Sequence, residues 1–139
     1  MKILGLDLGS KTLGMAISDS LEIIANPIGT VRFSENDLQA ALMATKKVVK
    51  EHDVKKIVLG LPKHMSGDIG VQAEYCLEFK KMLEKELSLE VVMIDERLTS
   101  QMAERVMLKA DISRSKRKKN VDKLAATIIL QTYLDIHSK

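Results

Sequence analysis

The alternation of short apolar runs with longer amphipathic stretches constrains this chain more than any other feature. The opening meander consists of three strand-like runs joined by short polar turns, at 2–8, 12–18 and 23–31. Helical stripes then alternate with two further strands at 57–61 and 91–94, the helices being predicted at 38–51, 71–87, 99–110 and 121–136. Strands separated by helices imply parallel crossovers, whereas a meander is antiparallel. The sequence therefore predicts an α/β protein with one mixed five-stranded sheet and helices on both faces.

The composition is typical of a globular domain and excludes several other classes of protein. Hydrophobic residues make up 45% and charged residues 29% of the 139 residues, which predicts one domain spanning 1–139 with a real core. No apolar stretch reaches the ~18 residues of a membrane span, and the first strand starts too early for a signal peptide. The single cysteine, Cys76, excludes an internal disulfide framework. We therefore expect a cytoplasmic protein without a membrane partner.

Three acidic residues from distant segments stand at the ends of predicted elements. Asp7 closes the first strand, Glu96 follows the last strand, and Asp122 opens the final helix, whose positive end would favour a carboxylate. Open α/β sheets bind ligands outside the carboxyl ends of their parallel strands, and these acids should meet there. Two or three carboxylates are sufficient for Mg²⁺, which usually keeps several waters. The acids therefore predict a site for Mg²⁺ or Mn²⁺ that hydrolyses a phosphodiester.

Each acid also has a plainer interpretation. Asp7 could form a turn, Glu96 could make a surface ion pair, and Asp122 could serve only as an acid at a helix start. Strand alternation should turn Asp95 away from Glu96, so we interpret Asp95 as structural, for example as the cap of the next helix. The role of His64, in the loop after the fourth strand, stays open.

Basic residues are concentrated around the second and third acids. Segment 97–123 has nine Lys or Arg and three acids, a net charge of +6, while the rest of the chain carries −3. This favours a polyanionic partner, although a solvated lysine-rich surface has the same composition. Segment 111–120 is predicted to be a basic loop. The candidate phosphate-binding residues are Lys11, Arg97, Arg114, Lys116, Arg117, Lys118 and Lys119.

The segment after Asp7 predicts a tight hairpin that contains Gly9, Lys11 and Gly14. Glycines permit left-handed backbone angles and the close approach of a phosphate, which Lys11 could neutralise as a point charge. A simple turn with a solvated lysine is the alternative. With two Tyr, two Phe and no Trp, base-stacking platforms are not expected, so recognition should use backbone charge and the shape of the nucleic acid.

Four short motifs follow one another along the whole chain. They are Asp7-Leu-Gly9-Ser-Lys11-Thr-Leu-Gly14-Met-Ala16, Gly60-Leu61-Pro62 with Gly67, Asp95-Glu96-Arg97-Leu98-Thr99-Ser100, and Asp122-Lys-Leu-Ala125-Ala126-Thr-Ile-Ile129-Leu130-Gln131-Thr-Tyr133. In this order they resemble the YqgF/RuvX family of the ribonuclease H-like superfamily. The resemblance implies a ribonuclease H-like fold with strand order 3-2-1-4-5. It also implies a nuclease that uses Mg²⁺ or Mn²⁺ held by Asp7, Glu96 and Asp122.

The resemblance further implies structured nucleic acid as the substrate. One candidate is pre-16S rRNA, matured at its 5′ end during ribosome biogenesis, with ribosomal particles as possible partners; the other is a four-way DNA junction. A catalytically silent binding module on the same fold is a second class, but clustered acids would not help pure binding. A sugar-kinase or actin-like ATPase is a third class. It needs two such domains, and 139 residues are too few for the second. We expect a monomer or a weak homodimer.

Overall fold

The computed structural model describes residues 2–61, 71–95 and 114–137, with side chains for 2–61, 72–95 and 125–137. The elements within these residues are β1 (Lys2–Leu8), β2 (Thr12–Ser18), β3 (Ala25–Arg32), α1 (Leu38–His52), β4 (Val54–Leu61), α2 (Val71–Leu87), β5 (Glu90–Asp95) and α3 (Arg114–His137). In the described part of the chain, no helix is long and apolar enough to cross a membrane. The helix expected at 99–110 lies outside the described residues.

The strands form one mixed sheet in the order β3-β2-β1-β4-β5. β2 pairs antiparallel with both β1 and β3, whereas β4 pairs parallel with both β1 and β5. The predicted sheet and its strand order are therefore confirmed. Because β1, β4 and β5 run in the same direction, their C-terminal ends share one side of the sheet, which we call the carboxyl edge.

Apolar side chains form a core on each face of the sheet. Leu4, Leu6 and Leu8 of β1 belong to a cluster with residues of α1 and α2. Ile3 belongs to the second cluster, which is built largely from α3. Because side chains alternate along a strand, the odd-numbered positions of β1, including Asp7, belong to the face that α3 covers.

The turn between β2 and β3 is organised by one carboxylate. The backbone N–H groups of Ile23 and Ile24 donate to Oδ1 of Asp19 at 2.7 and 3.0 Å. These hydrogen bonds hold the pKa of Asp19 below its usual value, and the bond from Ile24 has the largest effect. They also keep both isoleucines out of the sheet, so β3 begins at Ala25 rather than at the predicted position 23.

The last helix begins seven residues before its predicted start at 121, because α3 starts at Arg114. The apolar period begins only near 121, but Lys and Arg are good helix formers and extend the helix through 114–120. The predicted basic loop is therefore wrong over these residues. Asp122 consequently lies about two turns inside the helix. The positive partial charge of a helix start fades within the first turn, so the expected end effect at Asp122 is also wrong.

Candidate active site

Asp7 lies at the carboxyl edge, on the face of the sheet that α3 covers. On one side it pairs with Gly14 of β2. On the other side, continuing the parallel register one residue past Leu6–Leu59 brings it level with Gly60 of β4. The positions that flank Asp7 on both neighbouring strands therefore lack side chains. This leaves space around its carboxylate for a ligand or for other ligating groups.

The environment of the Asp7 carboxylate favours a bound cation. The side chain is half-buried, and within the described ranges it has no hydrogen-bond or ion-pair partner. A carboxylate partly removed from water without such a partner is unfavourable, and a cation would stabilise it. Carboxylate oxygens are the ligands that Mg²⁺ and Mn²⁺ prefer. The chemistry of this position thus fits the predicted metal.

α3 runs over β1 in the direction opposite to that strand. Its last turns, at Tyr133 and Leu134, line a cavity together with Ile3 near the start of β1. One turn earlier, Leu130 packs so closely on Gly5 that a Cβ added to Gly5 would lie 2.6 Å from the Leu130 Cβ. Followed back toward its N-terminus, the helix therefore approaches the carboxyl edge.

Ala126 continues this line and reaches the neighbourhood of Asp7. A Cβ added to Gly14 would lie 3.6 Å from the Ala126 Cβ and 3.7 Å from the Asp7 Cβ. Position 122 is one helical turn before Ala126, on the same face of α3 and about 6 Å further along its axis. The backbone of α3 thus brings Asp122 to the end of the sheet that carries Asp7.

The close packing of α3 on Gly5 yields a prediction about stability. Gly5→Ala should lower the free energy of unfolding by about 1–3 kcal/mol, because the new methyl group would collide with Leu130 and with the Ala126 carbonyl, 3.0 Å away. Urea denaturation measures the loss. Gly14→Ala is the matched control, since its nearest contact would be an ordinary 3.6 Å, and it should cost less. Equal losses would contradict the close approach of the helix at Gly5.

β5 approaches Asp7 from the other side of β4. Ile94 packs in the α3 cluster, whereas Met93 packs against the core under α1 and α2. Alternation therefore assigns Asp95, the last residue of β5, to the face away from Asp7. Among the acids, basic residues and histidine considered as candidates for the site, Glu96, Arg97 and His64 lie outside the described ranges.

The hairpin between β1 and β2 is tight for a steric reason. The N–H of Gly9 donates to the Thr12 carbonyl at 2.7 Å, and a Cβ on Gly9 would lie 2.8 Å from the Thr12 Oγ1. Neither Gly9 nor Gly14 has a positive φ, so the expected use of left-handed glycine is wrong. Gly14 lies within β2 under Ala126 rather than in the turn.

Lys11 stands at the tip of this hairpin, at the carboxyl edge. The N–H of Phe33 donates to the Lys11 carbonyl at 2.9 Å, and the N–H of Asn36 donates to the Ser10 carbonyl at 2.7 Å. These bonds tie the tip to the segment after β3. The Lys11 side chain is exposed and, among described residues, has no ion-pair partner, so it is available to a phosphate.

Two further residues at this edge, Gln72 and Arg32, are not predicted from the sequence. Gln72, at the start of α2, donates from Nε2 to the Leu8 carbonyl at 3.3 Å and ties that helix to the end of β1. Arg32 reaches the edge because it pairs with Thr12 across β2 and β3. Neither contact leaves a local signal, since each joins segments that are distant in sequence.

The structure brings together only part of the predicted site. Among the side chains that it describes, no three His, Cys, Asp or Glu residues are placed to hold a metal ion, and Asp7 is the one predicted ligand included. The backbone of α3 places position 122 at the same edge. The basic residues Arg114, Lys116, Arg117, Lys118 and Lys119 lie in its first turns.

A cavity of about 520 Å³ lies at the opposite edge of the sheet. Its lining includes Ile3, Lys56, Tyr133 and His137, and none of the predicted site residues. Lys56 Nζ donates to the Tyr133 hydroxyl at 3.0 Å, and this bond raises the pKa of Lys56. The cavity is therefore separate from the candidate active site.

Comparison with known proteins identifies the family. A sequence profile of the RuvX family, described as Holliday junction resolvase, matches residues 1–136. The chain belongs to the RuvX family. Its family and relatives are nucleases, hydrolases acting on phosphodiester bonds, and so is this RuvX protein.

Relatives of this RuvX chain include two proteins named pre-16S rRNA nuclease. The protein from Oceanobacillus iheyensis is 50% identical over 135 residues, which cover 97% of this chain and 98% of the relative. The protein from Clostridium beijerinckii is 52% identical over 139 residues, which cover 100% and 99%. The predicted membership of the family is thus confirmed.

Solved structures share the fold at low sequence identity. T. thermophilus RuvC in complex with a Holliday junction substrate aligns with a TM-score of 0.69 and 14% identity, over 99% of this chain and 97% of that chain. The fowlpox virus resolvase with Holliday junction DNA aligns with a TM-score of 0.55 and 13% identity, over 100% of both chains. The ribonuclease H-like fold of the RuvX chain is therefore confirmed.

Proposed function

We propose that Asp7, Glu96 and Asp122 hold Mg²⁺ or Mn²⁺, and that the protein uses the metal to cut pre-16S rRNA near its 5′ end. The observation that carries the proposal is the half-buried Asp7 carboxylate, flanked by two glycine positions and without a described partner. The course of α3 supports Asp122, since position 122 lies at the same edge. Asp95 belongs to the opposite face, which favours Glu96 as the acid from the end of β5.

In this mechanism the residues of the chain bind, orient and neutralise. Bound divalent ions would supply Lewis-acid stabilisation of the phosphoryl oxygens and would lower the pKa of a water. Asp7 offers its carboxylate oxygens from the central strand, where pairing with Gly14 of β2, and of the preceding Leu6 with Leu59 of β4, holds the backbone in place. Glu96 and Asp122 complete the ligand set. Lys11, at the hairpin tip, contacts a phosphate near the cleaved bond as a point charge.

The positive charge of the chain supports a polyanionic substrate. The basic residues at 114–119 lie in the first turns of α3, from about two turns to less than one turn before position 122, and therefore beyond the site along the helix axis. We assign to them, and to Arg97, contacts with backbone phosphates that position the substrate without reading its sequence. A cytoplasmic location accords with an RNA substrate of this kind.

The choice of substrate rests on the relatives. Proteins about half identical over nearly the whole chain are named pre-16S rRNA nuclease, which supports RNA. The description of the family as Holliday junction resolvase supports a four-way DNA junction as the second candidate.

A cleavage assay with matched substrates tests the proposed function. The panel contains a pre-16S rRNA fragment with its 5′ extension, the same fragment without the extension, a precursor ribosomal particle, and a four-way DNA junction beside its separate duplex arms. We expect cleavage at the extension in Mg²⁺ or Mn²⁺ and none in chelator. Cleavage of the junction alone would reassign the substrate to the second candidate. Cleavage that persists in chelator, or none of any substrate with metal, would contradict the proposal.

A further inference from the structure

Arg32 lies on the same face of the sheet as Asp7, although two strands separate them. Asp7 pairs with Gly14, and Gly14 pairs in turn with Thr30 of β3. Arg32 follows Thr30 by two residues, and alternation returns its side chain to the same face. Asp7 and Arg32 therefore lie on one face of the sheet, with Arg32 on the outer strand β3.

Lys11 lies between these two positions along the carboxyl edge. Arg32 pairs with Thr12, the residue after Lys11, and the N–H of Phe33 donates to the Lys11 carbonyl at 2.9 Å. The hairpin tip and the end of β3 are thus held side by side. Two exposed cationic residues, Lys11 and Arg32, follow one another outward from Asp7.

Within the described residues, no acidic side chain neutralises the charge of Arg32. Its side chain is exposed and has no ion-pair partner there. Glu35, also exposed, is the nearest acid in sequence and makes no ion pair with it. The next acid, Asp37, caps the start of α1, where its Oδ1 accepts a hydrogen bond from the N–H of Ala40 at 3.1 Å. A cation left free in this way is suited to an external anion.

The separation of Arg32 from Asp7 matches a short stretch of nucleic acid. Two strand spacings of ~4.8 Å and two residues of ~3.3 Å along the strand give about 12 Å. One strand of a duplex advances ~3.4 Å along the helix axis per nucleotide and also winds around that axis, so a backbone separation of this size spans at most about three nucleotides. The guanidinium of Arg32 can bind a phosphate with two parallel hydrogen bonds, which a lysine cannot do.

We propose that Arg32 binds a backbone phosphate of the substrate within about three nucleotides of the cleaved bond, and that Lys11 binds a phosphate between them. The end of β3 is then a second phosphate-binding site, distinct from the basic start of α3. The distance part of this inference rests on the proposed function, because it takes Asp7 to mark the position of the cleaved bond.

The test compares Arg32→Gln with Lys47→Gln, which removes the same charge from an exposed position of α1 on the opposite face of the sheet. Binding of a labelled pre-16S rRNA fragment is measured by fluorescence anisotropy at several salt concentrations, with Ca²⁺ in place of Mg²⁺. Arg32→Gln should weaken binding several-fold and lower the log–log salt slope by about 0.7–0.9, the loss expected for one phosphate contact. Lys47→Gln should match the wild type. Arg32→Lys should keep the slope, since the charge remains.

Steady-state cleavage in Mg²⁺ provides a second readout. Arg32→Gln should raise KM more than it lowers kcat, because the residue positions substrate away from the reacting atoms. A salt slope for Arg32→Gln equal to that of Lys47→Gln would overturn the proposal. Failure of the proposed function would be seen separately, as absence of metal-dependent cleavage by the wild type. That result would overturn the assigned distance from the cleaved bond, whatever the salt slopes.

Discussion

Asp7→Asn is expected to abolish cleavage while it leaves the fold and nucleic-acid binding largely intact. The side chain lies at the end of a central strand and has no described partner, so the isosteric amide removes only a charge and a metal ligand. Loss of a residue that merely supports a metal ligand costs 10–100-fold, so loss of a direct ligand should cost at least about 100-fold in the cleavage rate. Single-turnover cleavage measures the rate, and circular dichroism checks the fold.

Glu35→Gln is the control for the change in charge. Glu35 is exposed in the segment that follows β3, and its replacement removes one negative charge outside the proposed ligand set. It should leave the cleavage rate close to that of the wild type.

In chelator, Asp7→Asn should bind the RNA as well as the wild type or more tightly, since it removes repulsion from phosphate. Undiminished turnover by Asp7→Asn would exclude Asp7 from the mechanism.

The sheet could be predicted from the sequence because its strands are short apolar runs in a distinctive order. The bounds of β1, β2 and α2 agree with the expectations at 2–8, 12–18 and 71–87. The position of Asp7 at the carboxyl edge follows from that pattern alone, since it closes a buried strand. The local sequence therefore defines the strand end to which the first candidate ligand belongs.

Features that depend on register or on packing between distant segments could not be predicted in this way. The start of α3 is hidden because residues 114–120 lack an apolar period, although they suit a helix. The role of Gly14 depends on Ala126, more than a hundred residues later, which packs over it. Arg32 reaches the edge only through its pairing with Thr12. Such contacts are properties of the assembled sheet and leave no local pattern.

The second large effect concerns the metal. In the proposed site three carboxylates meet at one edge and repel one another, and this repulsion would destabilise the folded protein when no cation is present. A divalent ion that binds only the folded state stabilises it by mass action, by about 2.7 kcal/mol at a concentration 100 times its Kd. The wild type should therefore melt several degrees higher in Mn²⁺ than in chelator.

The rise in melting temperature from chelator to Mn²⁺ is called the increment below. Glu96→Gln and Asp122→Asn should each reduce this increment. Each variant removes one proposed ligand and also one of the repelling charges, so each should melt at the same temperature as the wild type, or higher, in chelator. Asp95→Asn is the matched control. It removes a charge from the residue next to Glu96, at a position that strand alternation assigns to the opposite face. Its increment should equal that of the wild type.

Differential scanning calorimetry of the wild type and these three variants, each in Mn²⁺ and in chelator, tests most directly whether the acids share a metal. The expected result is a full increment for the wild type and Asp95→Asn, and a clearly smaller one for Glu96→Gln and Asp122→Asn. A full increment in either of the latter would show that the residue is not a ligand. Loss of the increment in Asp95→Asn, with the increment of Glu96→Gln intact, would replace Glu96 with Asp95 in the site.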